Sequence, residues 1–146
     1  MKKLMSLAAA AMIVFTACAQ KMNEKDVPSP VIKSFKDEHP GKTDVKWEKK
    51  GSNYMAKSKD SYEDFSALYD KDGNLLELED KIEVSVLPTE VKVYCDQNAP
   101  GKTITEAYKI KDKNGKVVYD AVVEGTEYVF DSGGKCINKK AKKIRK

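Results

Sequence analysis

Histidine is nearly missing: His39 is the only one in 146 residues. A Ser–His–Asp or Cys–His nucleophile would have to use it, and no nucleophile-elbow pattern marks a partner. A structural zinc site needs four nitrogen or sulfur ligands. With Cys18 assigned to the signal or to a lipid anchor, one histidine and two cysteines remain, one ligand short. Cysteine is sparse, and Cys95 and Cys136 are too far apart in sequence for a C-x-x-C pair, so thioredoxin-like redox chemistry drops out. The one long apolar run, from Leu4 to Phe15, is too short to cross a bilayer as a helix.

Glycine is also scarce where a phosphate loop would need it. The chain contains PGKT twice, ending HPGKT at Thr43 and APGKT at Thr103. A P-loop requires another glycine five residues before the second one. Lys36 and Asp96 occupy those positions. Pro-Gly here reads as a helix stop and a turn. Asp70-Lys71-Asp72-Gly73-Asn74 imitates the start of a calcium loop. Its glycine comes too early, and Lys81 stands where the bidentate Glu belongs. A hairpin turn accounts for it. We expect no cofactor, no metal site and no catalytic residue, with His39 closing a helix, where a cationic imidazole suits the dipole. None of the 23 acidic residues is paired by spacing for glycoside hydrolysis.

What is present begins with an export signal. Met1-Lys2-Lys3 is basic, an apolar stretch follows, and small residues close it at Ala17-Cys18-Ala19. Two cleavages fit. Ala17-Cys18-Ala19 matches an A-x-A site, releasing a chain that starts at Gln20. Phe15-Thr16-Ala17-Cys18 matches a lipobox, with Phe15 in place of the usual Leu, and would leave Cys18 lipidated. Either route takes the chain out of the cytoplasm, to the periplasm or to an envelope anchor. Residues 1–19 are therefore read as signal, and the remaining 127 make one domain of ordinary size. Two lysines leave with the signal, and six basic residues crowd the last eight positions. Of 27 basic residues, 19 then remain against 23 acidic. The body is mildly acidic with a basic end. An exported chain of this kind is not expected to bind nucleic acid, and the membrane is met only through a lipid on Cys18. An oxidising compartment permits a Cys95–Cys136 disulfide, and two small buried thiols are the alternative.

The two PGKT stretches lie 60 residues apart, and the likeness extends outward. Val27-Pro28-Ser29-Pro30-Val31 faces Leu87-Pro88-Thr89-Glu90-Val91 at that offset. Leu68-Tyr69-Asp70 faces Val129-Phe130-Asp131 at offset 61, and Gly73 faces Gly134. Residues 20–26 read as a linker, 27–86 as a first unit and 87–146 as a second with a basic end. Each unit opens on a helix capped by Ser29 or Thr89, with Pro30 fitting a first turn. Val31 and Phe35, and then Val91, Tyr94, Cys95 and Asn98, follow helical spacing. Val45 and Trp47 alternate with charged neighbours, as do Phe65, Ala67 and Tyr69 with Ser66 and Leu68, in strand period. Ile82, Val84 and Val86 continue that alternation. Asn114-Gly115 marks a hairpin. The expected architecture is α+β: two tandem repeats, each a short helix and then three to four antiparallel strands. At offset 61 the tail from 138 faces 77–85, so it reads as a last edge strand or frayed end whose lysines discourage edge pairing, with electrostatic contact to an anionic membrane or partner surface as the alternative.

These segments, VPSPVIKSF, LPTEVKVYC, LYDKDGNLLELE and YVFDSGGKCI, tandemly repeated behind an export signal, resemble the β-lactamase-inhibitor-like, PepSY-like family of bacterial envelope proteins. The likeness covers about residues 27–138. It implies tandem units sharing one antiparallel sheet, with helices packed on one face. It also implies a non-catalytic, protein-binding role that extends to inhibition of an envelope hydrolase. No inhibitory residue carries over. The helix-free face of such a sheet is the expected docking surface, and Trp47, Tyr54, Tyr69, Tyr108, Tyr119 and Tyr128, with Tyr62, fall on or beside strands. About half should point to the helices as core. The rest should form a contiguous exposed patch for a protein partner, since Tyr and Trp dominate binding hot spots. A ligand-binding or structural module would show instead a closed apolar pocket and a fully polar outer face. A monomer is expected.

Overall fold

The computed structural model describes residues 20–59 and 64–141. The signal, Cys18, Tyr62 and the last five residues lie outside them.

Each α-helix starts after a proline. The helices α1, Ser29–Glu38, and α2, Thr89–Asn98, follow Pro28 and Pro88. The carbonyl of Pro28 accepts from the N–H groups of Val31 and Ile32, and that of Pro88 from Val91 and Lys92. Ser29 and Thr89 are not caps as expected: each helix has a proline in the cap position, and no side-chain cap bond forms. A hydroxyl caps from a residue outside helical dihedrals, and these two already stand inside the first turn. At the other end the N–H of His39 donates to Phe35 O and that of Ala99 to Cys95 O, both at 2.8 Å. Pro-Gly then turns the chain away.

Among the described residues nine strands form one sheet: β1 Gln20–Met22, β2 Val45–Lys50, β3 Asn53–Lys59, β4 Asp64–Tyr69, β5 Leu75–Ile82, β6 Ile104–Asp112, β7 Val117–Val123, β8 Thr126–Asp131 and β9 Cys136–Ala141. Their spatial order is their chain order, and every neighbouring pair is antiparallel. The β5–β6 pairing, from Glu77↔Asp112 to Ile82↔Ala107, joins the two helix-bearing halves into one sheet. The succession is a one-turn 3-10 helix, an α-helix and four strands, then the same again. Two local expectations change. Val84–Val86 does not extend the strand but forms the second 3-10 turn, directly before Leu87-Pro88. A residue preceding proline is steered away from the helical region, and Leu87 has extended ψ at 142°. Residues 20–26, expected as a linker, carry β1 and the first 3-10 turn, and Met22 pairs with Trp47.

Both helices lie on one face of the sheet, over two apolar clusters. Val27, Val31, Phe35, Trp47, Phe65, Ala67 and Tyr69 build the first; Leu87, Val91, Cys95, Ala107, Ala121, Tyr128 and Phe130 build the second. The clusters distribute bulk differently. The row running across β2, β3 and β4 is Trp47, Ala56, Ala67: large, small, small. The row across β6, β7 and β8 is Ala107, Ala121, Tyr128: small, small, large. The helices match. Phe35 meets Trp47 edge-on at 5.4 Å, whereas Tyr94 of α2 meets Tyr128 at 6.2 Å and Phe130 at 5.4 Å.

The β4–β5 and β8–β9 turns hold the helices down. Asp70 Oδ1 accepts from the N–H groups of Asp72 and Asn74, and Asp131 Oδ1 from those of Gly133 and Lys135. The calcium-like carboxylate thus closes its own hairpin, an Asx turn. Gly73 follows at φ 86° and Gly134 at φ 81°. A Cβ at Gly73 would stand 2.6 Å from Pro30 O, and one at Gly134 2.5 Å from Glu90 Cβ. Only glycine lets these turns lie against the helix starts.

Candidate functional site

Strand alternation divides the sheet's side chains between the helix face and an open face. Positions paired across the sheet share a face, so the buried Trp47–Ala56–Ala67 and Ala107–Ala121–Tyr128 rows fix the assignment. Open-face residues are Lys46, Glu48 and Lys50 on β2 and Met55 and Lys57 on β3. Glu77, Glu79 and Lys81 follow on β5, Glu106, Tyr108 and Ile110 on β6, Asp120 and Val122 on β7, and Glu127 and Val129 on β8.

This placement corrects the expected aromatic patch. Trp47, Tyr69 and Tyr128 are buried in the helix-side core, and Tyr54 and Tyr119 pack against the same clusters, half-buried. Tyr69 donates its hydroxyl to Glu38 Oε2 at 2.8 Å. Burial, and then that bond, push its phenol well above the ordinary value. Of the six, Tyr108 alone faces away from the helices, and it too is buried, with its hydroxyl donated to Glu106. Aromatic rings are the largest apolar surfaces in the chain, and the helices take them because burial there removes most area from water. No contiguous exposed aromatic patch exists on the open face among the described residues. The second expectation fares no better. Met55, Ile110, Val122 and Val129 interrupt the polarity of the open face. The grooves of about 490 and 610 Å³ lie open along the helices, one beside Val27 and Ile32, the other beside Tyr94 and Cys136.

The open face is organised by charge. On β2 and β3 lysines prevail: Lys46, Lys50 and Lys57 surround Glu48, which Lys57 meets at 2.7 Å. Burial, and then the like charge of Lys57, lower the pKa of Lys50, with Glu48, Glu77 and Glu79 acting against them. From β5 to β8 carboxylates prevail: Glu77, Glu79, Glu106, Asp120 and Glu127 against Lys81. Lys81 reaches Asp64 at 3.6 Å, and Lys140 on β9 reaches Glu127 at 3.3 Å. The centres of the two halves, between β2 and β3 and between β6 and β7, are four strand spacings apart, about 19 Å. Such a face presents a field with a direction, able to orient an approaching charged surface. None of its charged residues was singled out from the sequence. The signal was available: charges alternating with Trp47, Leu78 or Ala121 must point opposite to those core residues.

His39 takes no part in this face. Its ring lies 5.3 Å from that of Phe35 and 4.6 Å from that of Phe65. His39 closes α1 as its C-cap, as expected, but burial lowers its pKa against the pull of Glu38 and Asp80, which disfavours the cationic form. Cys95 is buried and Cys136 half-buried in the α2 cluster, both as free thiols.

With this geometry the chain is similar in fold to several solved Bacteroides proteins. A BLIP-like protein from Bacteroides fragilis superposes with a TM-score of 0.62 at 21% identity, covering 78% of this chain and 86% of its own. The chain has a BLIP-like fold. A protein named as periplasmic from Bacteroides eggerthii gives a TM-score of 0.70 at 12% identity over 79% and 88% of the two chains. A DUF2874 family protein from Bacteroides uniformis gives 0.67 at 16% over 78% and 88%. At these identities the likeness is one of fold. No family model and no curated relative matches the chain. The BLIP-like sheet here leaves one broad face without a helix among the described residues, and that face carries the charge division.

Proposed function

We propose that the chain is an exported, non-catalytic binding protein of the bacterial envelope that docks a protein partner on the open face of its sheet. The observation that carries this reading is the division of that face into a basic half on β2–β3 and an acidic half on β5–β8. Charge arranged this way sets partner orientation and raises association rates more than it adds affinity. The periplasmic naming of fold neighbours supports export through a signal at 1–19, with Cys18 as the lipid site if anchored. The lone histidine, packed against Phe35 and Phe65 at the end of α1, supports a structural role for that ring and a non-catalytic reading. We read the fold as two copies of one PepSY-like unit. The support is the repeated element order and the equivalent burial of Val31 with Val91 and Tyr69 with Phe130. Inhibition of an envelope hydrolase is one form such docking takes, and the chain is read as acting alone, as a monomer.

The test is affinity capture from envelope extract with the parent chain, Glu77→Lys/Glu79→Lys and Lys46→Glu. The parent should recover one protein specifically, and each reversal should cut recovery about tenfold or more, as loss of close charge pairs does. Both reversals recovering the same protein as well as the parent would refute docking on this face.

A further inference from the structure

β9 stands to β8 as β5 stands to β4, but only β5 carries a further strand on its outer side. Both pairings skip one residue at the same place: Leu76 between the partners of Tyr69 and Leu68, and Ile137 between those of Phe130 and Val129. β6 runs along β5 from Glu77↔Asp112 to Ile82↔Ala107. The N–H of Lys113 extends that ladder to Leu76 O at 2.9 Å, so a skipped residue does not stop pairing. Beyond β9 no strand follows among the described residues. In an antiparallel ladder every second residue turns its N–H and C=O away from the neighbour it pairs with. Ile137, Lys139 and Ala141 hold those places on β9, as Leu76, Leu78 and Asp80 do on β5. The N–H of Lys139 accordingly donates to Asn138 Oδ1, at 2.8 Å.

The two strands differ in the sign of their charge. β5 holds Glu77, Glu79 and Asp80, and β6 sets Lys109 opposite Asp80. At offset 61, Asn138, Lys140 and Ala141 take those positions, and Lys139 lies among them. Lysines along an edge repel a like edge, which turns away β9 of a second copy. Carboxylates directly opposite them are favourable cross-strand neighbours. Lys140 keeps 44% of its side chain exposed while it bridges Glu127. A groove of about 610 Å³ continues the edge on the helix side, between α2 and the start of β9, with Glu90, Val93, Tyr94, Lys135 and Cys136 in its wall. Val93 and Ile137 are large apolar residues left exposed here, at 46% and 50%.

We propose that β9 accepts a tenth strand from another protein: an extended acidic segment that pairs antiparallel with residues 137–141. It sets carboxylates opposite Lys139 and Lys140 and places an apolar side chain in the groove beside Val93 and Tyr94. In strand addition of this kind main-chain bonds supply affinity and the side chains supply selectivity. The Asn138 side chain gives up the Lys139 N–H to the incoming carbonyl. The site lies on the edge of the sheet and does not rest on docking at the open face.

Amide NMR titration with the peptide acetyl-Thr-Val-Glu-Glu-Thr-Val-Thr-amide tests it. The amides of Ile137, Lys139 and Ala141 should shift together with those of Val93 and Tyr94. A peptide with lysines for both glutamates should bind about tenfold more weakly, from two cross-strand charge pairs reversed. A peptide N-methylated at its second glutamate, opposite Lys139, should lose binding because its edge hydrogen bond cannot form. Proline is tolerated on an edge strand where its nitrogen faces outward, so Lys139→Pro should keep the fold by circular dichroism and lose the peptide. Lys139→Glu/Lys140→Glu keeps the edge N–H and should prefer the lysine peptide. No shift on β9 at millimolar peptide, or shifts confined to the open face, would overturn the proposal. Equal binding of the N-methylated form would overturn strand pairing, and equal binding of the lysine peptide would overturn the acidic assignment.

Discussion

Replacing Gly73 by alanine, with Gly115→Ala as its control, isolates the contact that seats α1 on the sheet. Both glycines have left-handed backbone, at φ 86° and 80°, so both substitutions carry the same conformational cost of roughly 1–2 kcal/mol. Their surroundings differ. A Cβ at Gly115 meets nothing within 4 Å, whereas one at Gly73 falls 2.6 Å from Pro30 O, 2.9 Å from Pro30 C and 2.9 Å from Ser34 Oγ. Two of those atoms are backbone, so either the hairpin or the first turn of α1 must move by close to 1 Å. Overpacking of this kind adds roughly 1–3 kcal/mol. For a chain of this size 1 kcal/mol moves the midpoint by about 3–5 °C. Thermal unfolding followed by circular dichroism should show Gly115→Ala about 5 °C below the parent and Gly73→Ala about 15 °C below it. Equal midpoints for the two variants would mean that the turn does not rest on the helix, and the docking geometry would be wrong.

Trp47→Ala should cost about 3–5 kcal/mol as a core truncation while leaving partner capture per folded molecule unchanged; a loss of capture without a fall in midpoint would return Trp47 to the docking surface. The pKa of His39 is lowered in the folded chain, so the unfolded chain takes the proton first and stability is lost as pH falls below about 6.5. Urea midpoints should drop from pH 7.5 to 5.5 in the parent and drop less in His39→Phe, and parallel curves would contradict the buried imidazole. Burial pushes the Cys95 thiol up to about 11, so in the native chain iodoacetamide at pH 8 should label Cys136 well before Cys95. Equal labelling rates would place Cys95 at the surface.

The helices and turns were legible in the sequence because their signals are local. Pro28 and Pro88 open α1 and α2, Pro-Gly closes them, and Asn114-Gly115 marks the β6–β7 hairpin. The aromatic residues were harder, because a strand's period assigns residues to alternate faces without saying which face is covered. Trp47 between Lys46 and Glu48 held the answer, since two charges on one side leave the indole to the core. The burial of Asp120 and Glu127 was not legible at all. It depends on neighbours brought together by β6, β7 and β8, and charge in a strand ordinarily reads as solvent-facing. Ser29 and Thr89 show the one-residue limit of cap reading, where a preceding proline took the position.

The opposite gradients of bulk under the two helices bear on how such a chain avoids confusing its own halves. Two halves with the same order of elements in one polypeptide can trade elements during folding, each helix settling on the other's strands. Here α1 on β6–β8 would bring Phe35 against Ala107, leaving a void where Trp47 belongs, and would meet Tyr128 where it expects Ala67. The reverse exchange would press Tyr94 onto the wrong end of its row. Each misassembly combines a cavity with an overpacked contact, both destabilising. The unequal rows thus act as a key that admits each helix to one half of the sheet.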